Sequence, residues 1–381
     1  MNVLLINHEK PPIGGGGGVF TNLLGKGLAA LGQKVYFLTI GARDDIIEEA
    51  SGYFVITINT NRKNYANIKF DNFLKFLIKF PSAINRIIKD YNIDIVNPHF
   101  IHTAGLANYL SGNKLNYIIS ALGADIYDPT RYKFIRFFMN MLSEKILTDS
   151  CYIVLSSQDM YERAAANFPQ FKSKLKIIPH CINKDLYVNL DKSESKKKLN
   201  LDAEKKIILT VCRLVDRKNL NTALDVIAEL IKRGCNIEYL LIGDGPQKNE
   251  LMQKSKILNI ANYIKFLNYI SDEQLPLYYS AADVFFLPSY HEAFGIAALE
   301  ALAAKTPAVC STNSGWSDFI INYKTGFVCD DFDGYVNKIY ELITYKKLWT
   351  ELSEQAAEYV LEKYDYRNIA KEYLKLYNSV K

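Results

Sequence analysis

Short β-branched runs alternate with longer amphipathic runs along the whole chain, and this alternation constrains the fold more than any other feature. Val3–Asn7, Val35–Ile40, Tyr53–Ile58, Ile93–Val96, Tyr117–Ser120, Tyr152–Leu155 and Leu175–Ile178 read as strands. After the first strand, Phe20, Leu23, Leu24, Gly27, Leu28 and Leu31 recur at the helical period. Phe70, Phe73, Leu74 and Leu77 mark a second helix, expected to be interrupted near Pro81. The pattern stops at Asn183–Lys206, a polar stretch containing KSESKKK, which reads as a linker plus a short solvated helix. It restarts with strands at Ile207–Val211, Ile237–Ile242, Ile264–Leu267, Val284–Leu287 and Ala308–Cys310. From Asp331 the chain reads as helical to its end.

Strand–helix alternation implies parallel sheets with helices on both faces. The fold class is therefore α/β, with two doubly wound domains. Residues 1–183 are expected to form the first, 184–206 the linker and 207–364 the second, with a helix at 365–381 packing back onto the first. In such sheets ligands bind at the carboxyl ends of strands, and two facing domains make a cleft.

The 381 residues are 49% hydrophobic, enough for two cores, and the composition excludes a disordered chain. A net charge of +5 is too mild to imply nucleic acid and leaves room for an anionic ligand or a membrane surface. Six widely spaced cysteines without a C-x-x-C pair read as small buried apolar residues in a reducing compartment. The apolar run near the start has four residues, and no stretch of about 18 apolar residues occurs, so a cytoplasmic protein is expected.

Five motifs could carry chemistry. Gly14–Gly18 stand between a strand and a helix start, where backbone amides can approach a phosphate or sugar without side-chain interference. They make neither a dinucleotide fingerprint nor a P-loop, and a flexible turn is the alternative. In SYHEAFGIAALEALAAKTP, Glu292 ends a strand just before a helix N-terminus that attracts phosphate. Glu300 lies about two turns along a nearly apolar helix, where a charge needs a partner. In VCRLVDRKN, Arg213 and Lys218 could neutralise a diphosphate leaving group or simply sit at a surface. Gly243–Pro246 reads first as a turn. His99 closes a first-domain strand, with a structural role as the alternative.

These motifs, in this order, resemble the retaining glycosyltransferases of family 4, whose GT-B fold is two facing Rossmann-like domains with a cleft between them. The matches are Gly15, Gly16 and Gly18, then Asp94–His99, the strand–Pro junction IIPHCIN, Arg213–Asn219, Gly243–Pro246, and two glutamates separated by seven residues, Glu292 and Glu300. The resemblance implies that Arg213 and Lys218 bind a donor diphosphate and that Glu300 holds ribose hydroxyls. Glu292, with the amides of Ala293, Phe294 and Gly295, would hold the donor sugar. Gly15 and Gly16 would close on the phosphate, Gly243 belongs to the donor site, and Asn268 and Tyr269 would border the base. His99 would face the sugar or acceptor, with Gly18, Gly123 and Asp125 on the acceptor side.

Cys212 and Asn268 stand where glycine is usual, and Leu122 where many members carry His, which puts the acceptor analogy in doubt. The reaction implied is sugar transfer from a UDP- or GDP-sugar with retained configuration, to a saccharide or lipid-linked saccharide, in bacterial surface polysaccharide assembly. The departing diphosphate would take the acceptor proton. Neither a cofactor nor a metal is expected, because Asp331–Asp333 lies in the C-terminal tail. Basic and aromatic residues interleave at 69–80 and 131–142, which makes an anionic membrane surface a partner at the inner face of the cytoplasmic membrane. No nucleic-acid partner is expected. The rivals are a glycogen- or sucrose-synthase-type enzyme and a non-catalytic nucleotide-sugar-binding subunit.

Overall fold

Apolar strands pair where the alternation places them. The computed structural model describes residues 1–11, 14–60, 70–127, 133–188, 190–312 and 314–380, without the side chains of 70–73, 124 and 133–140. It divides into two compact units, Met1–Cys181 with Tyr364–Lys381, and Ile182–Lys363.

In the first unit, β1 (Asn2–Ile6), β2 (Lys34–Gly41), β3 (Asp45–Ala50), β4 (Tyr53–Asn59) and β5 (Ile95–Pro98) form one sheet in the order β3-β4-β2-β1-β5. β6 (Ile118–Ser120), β7 (Tyr152–Leu155) and β8 (Leu175–Ile177) form a second sheet, joined to β5 by bridges at Val96–Tyr117 and His99–Ser120. Every pairing is parallel except β3 with β4. Strand β3 was not expected. Its DIIEEA has no buried apolar face, so it offers no period-2 signal.

The helix Phe70–Tyr91 runs through Pro81 without the expected interruption. Burial of Phe76, Phe80, Ala83, Ile84 and Ile87 along one face outweighs the lost backbone bond, a cost of about 3 kcal/mol. Two of those rings, Phe76 and Phe80, were read as membrane-facing. They are core residues here. Of the lysines in that reading, Lys75 is half-buried and Lys79 is exposed and donates to Asn59 O at 2.7 Å; Lys69, Phe73 and the side chains of 131–140 lie outside the described residues. Among the described residues, no helix is long and apolar enough to cross a membrane.

The C-terminal helix Tyr366–Asn378 belongs to the first unit. It lies against the helix Gly16–Ala30 so closely that a Cβ at Gly27 would come 2.7 Å from that of Ala370. Two buried tyrosines tie it to the sheets: Tyr377 donates to Asn97 Oδ1 at 2.7 Å, and Tyr373 meets Ser120 Oγ at 3.0 Å. Much of the tyrosine content is used in this way, as buried rings with a bonded hydroxyl.

The second unit holds β9 (Lys206–Val211), β10 (Ile237–Ile242), β11 (Ile264–Leu267), β12 (Val284–Leu287), β13 (Ala308–Ser311) and β14 (Gly326–Cys329). All are parallel, in the order β11-β10-β9-β12-β13-β14. The order reverses between β9 and β12. In open α/β sheets such a reversal is where ligands bind, at the carboxyl ends of the two strands.

The segment 184–206 belongs to this unit, and its helix Lys192–Lys198 is not merely solvated. Asp283, only 4% exposed, accepts from the Ile207 amide at 2.8 Å and from Lys192 at 2.8 Å, with Lys196 at 3.7 Å and Lys206 at 3.5 Å. Lys192 also lies over the Trp349 ring. Burial pushes Lys192 down to about 8 against the pull of Asp283. Through this buried carboxylate two of the KSESKKK lysines are tied to the start of β9, in the middle of the sheet.

Candidate active site

The site is built where β9 and β12 lie side by side. The chain leaves β9 through Cys212 and Arg213 and makes a short turn, Asp216–Lys218. It leaves β12 through Pro288 and reaches Glu292 before the helix Ile296–Ala303. The two loops are tied by Tyr290 N–H donating to Arg217 O at 2.9 Å. Lys218 Nζ then donates to Glu292 Oε2 at 2.5 Å, and Arg217 Nη1 lies 3.9 Å from the same oxygen. Burial raises the Glu292 carboxyl, but Lys218 and Arg217 lower it further, so it stays ionised below the usual carboxylate range.

A third loop fixes the backbone of Glu292. Its N–H donates to Ser314 Oγ at 3.1 Å, and its carbonyl accepts from Gly315 N–H at 2.8 Å. Gly295 has φ +90°, and a Cβ there would lie 2.7 Å from the Trp316 ring, so only glycine fits this helix cap. Phe294 is buried against Phe319, which leaves only its backbone for a ligand, while Ala293 is half-buried. Arg213 is half-buried beside this cluster in sequence. None of Ser314, Gly315, Trp316 or Arg217 was singled out from sequence, because their use is set by the neighbouring loops.

Glu300 has no cation among its resolved partners. Tyr279 OH donates to its Oε2 at 2.7 Å, and Tyr187 also hydrogen-bonds to it. Burial, helped by Asp272 and opposed by the two tyrosines, pushes Glu300 up to about 7. The expected partner thus exists, but it is a pair of neutral hydroxyls.

Gly243 serves the backbone rather than presenting a contact group. At φ +137° it passes the β9 loop so closely that a Cβ would lie 1.9 Å from Cys212 O. Gly245 similarly crowds Leu214 O, and Leu214 N–H donates to Asp244 O at 3.0 Å. The G-D-G-P turn therefore locks the loop carrying Arg213. Asn268 is exposed and bonded to Lys248, and Tyr269 is 56% exposed.

The first unit departs further from expectation. His99 does not present itself to a ligand. It is 0% exposed, packed by Phe20 and His180, with Nδ1 at 2.9 Å from Thr21 Oγ1. Burial first, and then His180, pushes it down to about 3. Here the chain turns into the sheet junction, through Phe100 at φ +74°.

The glycine run is also occupied. Gly15 N–H donates to Glu9 Oε2 at 3.2 Å, a Cβ at Gly14 would strike the Glu9 side chain, and one at Gly18 its backbone. Gly16 opens the helix. The carboxylate of Glu9, a residue that sequence reasoning passed over, thus accepts from one amide of the run. Gly123, at φ +121°, opens the short helix Ala124–Tyr127. Asp125 is buried, with Oδ1 3.4 Å from His102 Nδ1, while His102 Nε2 lies 2.7 Å from Ser143 Oγ. Among the described residues, no group of three or more His, Cys, Asp or Glu is arranged to hold a metal ion.

Comparison with known proteins agrees with this architecture. The family model "Glycosyl transferases group 1" matches residues 191–359, and "Glycosyltransferase Family 4" matches residues 14–186. The N-acetyl-alpha-D-glucosaminyl L-malate synthase of Bacillus anthracis is 23% identical, over 97% of this chain and 95% of its own. Sucrose-phosphate synthase from Thermosynechococcus elongatus has the same fold, with a TM-score of 0.85 at 23% identity, covering 99% of this chain and 98% of its own. An Anabaena protein solved with UDP-glucose has a TM-score of 0.79 at 16% identity, covering all of both chains. With its two parallel-sheet units, this chain has the GT-B fold and belongs to the group 1 glycosyltransferases.

Proposed function

We propose that the chain transfers a sugar from a nucleotide-sugar donor to a saccharide acceptor, with retention, and that the donor lies at the β9/β12 edge of the second unit. One observation carries this reading. Lys218 and Glu292 leave adjacent parallel strands where the sheet order reverses, and they meet at 2.5 Å beside a helix N-terminus. Lys218 and Arg213 supply the positive charge that a departing diphosphate needs, and fixed charges of this kind stabilise the group in which negative charge develops. Glu292 keeps Lys218 in place in the resting enzyme and is placed to accept from donor-sugar hydroxyls once Lys218 turns to phosphate. In a same-face displacement the glycosidic C–O bond to phosphate breaks, the acceptor oxygen bonds to the anomeric carbon, and the leaving phosphate oxygen takes the acceptor proton. The Anabaena protein solved with UDP-glucose supports a UDP-sugar.

A lipid-linked saccharide in surface polysaccharide assembly is the acceptor class favoured by the basic and aromatic run at 131–142. Likeness to a sucrose-phosphate synthase favours a second reading, a soluble sugar phosphate. Diphosphate release should be measured with UDP-, GDP- and ADP-glucose and each acceptor class. Glu292→Gln and Arg213→Ala should each lower kcat/KM by 100-fold or more. Unchanged turnover in both variants would remove the site from the reaction.

A further inference from the structure

We infer that Tyr187 and Tyr279 are positioning residues that aim the Glu300 carboxylate at a vicinal diol, the ribose of the bound nucleotide. This rests on the donor reading above. The helix around Glu300 is apolar, IAALEALA, and buries Ile296, Ala298, Leu299, Ala301, Leu302 and Ala303. A carboxylate there could have been matched by a cation, as Asp283 is in this same unit. Instead its resolved partners are two hydroxyls, and the charge that acts on it, Asp272, has the same sign. A cation would quench the carboxylate. Neutral donors fix its orientation without pairing its charge. A carboxylate has about four lone-pair sites, so two tyrosine hydroxyls leave two, the number that a cis-diol takes. Glu300 is half-buried, so a ligand can reach it.

Both tyrosines are themselves held. Tyr279 is fully buried, with its carbonyl accepting from Thr306 Oγ1 at 2.5 Å and its ring beside Phe285. Tyr187 is buried at the end of the turn Lys184–Leu186, where the Asp185 amide donates to Asn183 Oδ1 at 3.2 Å. Replacement by phenylalanine removes only the hydroxyl and keeps the packing.

The test compares the best binder among UDP, GDP and ADP with its 2′-deoxy form by calorimetry, using the full chain. The wild type should prefer the ribonucleotide by about tenfold or more, the size of one hydrogen bond to a charged group. In Tyr279→Phe, and independently in Tyr187→Phe, this ratio should fall to about threefold or less, while affinity for the deoxy form stays the same. The donor KM should rise with kcat unchanged. A preserved ratio in both variants overturns the inference, and so does an equal loss of affinity for both ligands, which marks a merely structural role. If the wild type binds both forms equally, Glu300 does not hold the ribose and the inference fails while the donor reading stands; if it binds none of the three nucleotides, the donor reading itself fails.

Discussion

Acid should destabilise the first unit through two histidines that fold without protons. His99 and His180 are both buried and both pushed down to about 3, by burial in each case. An unfolded histidine titrates near 6.5. Between those values the unfolded chain binds two protons that the folded chain does not, so stability is lost as pH falls through 6.5. At pH 5.5 each histidine costs about 1.4 kcal/mol, or about 2.8 kcal/mol for the pair. Glu300 works in the opposite direction in the second unit. Raised to about 7, it keeps a proton that the unfolded chain releases, so its contribution is present at low pH and lost as pH rises through about 7.

The comparison of wild type with His99→Leu cancels that opposing term. The substitution leaves Thr21 satisfied, since its hydroxyl donates to Gly17 O at 2.9 Å and accepts from Asn7 Nδ2 at 2.8 Å. Urea denaturation at pH 7.5 and 5.5 can be followed by far-UV circular dichroism. Trp316 and Trp349 both lie in the second unit and mark its transition by fluorescence. The wild type should lose about 1.4 kcal/mol more than the variant on acidification. Equal losses would refute the claim that His99 folds neutral.

Three further outcomes follow from the same contacts. Gly243→Ala places a methyl 1.9 Å from Cys212 O at φ +137°, and should cost about 3 kcal/mol, seen as a Tm fall of roughly 6–12 °C. Asp283→Asn leaves Lys192 and Lys196 without their carboxylate and should destabilise the second unit by about 3–5 kcal/mol in urea. Because Glu300 titrates near 7, the donor KM should fall as pH rises through that value, and Glu300→Gln should flatten the profile.

The strand cores were legible because buried parallel strands are continuous apolar runs, and β9 to β13 begin and end within one residue of the sequence reading. Strand β3 was hidden because its partner face is solvent, and β14 because GFVC opens on glycine, a residue depleted in strands. Pro81 misled because tertiary burial overrode a local rule. Glu292, Glu300, Arg213 and Lys218 were visible through spacing after strands. What was not visible was which groups those residues meet. Lysines of a polar run converge on Asp283, tyrosines on Glu300, and Glu9 on the Gly15 amide, and each pairing crosses a sequence distance or a turn that periodicity does not encode. His99 and Gly243 were read as site residues because they follow strands, and periodicity encodes neither the burial of His99 nor the close approach of Gly243 to Cys212 O.

Calorimetric titration of the full chain with UDP, GDP and ADP, repeated with Arg213→Ala, tests the central claim most directly. One of the three should bind the wild type with 1:1 stoichiometry and bind the variant at least tenfold more weakly. Binding of none of them, or equal affinity in the variant, would contradict a donor diphosphate at the β9/β12 edge.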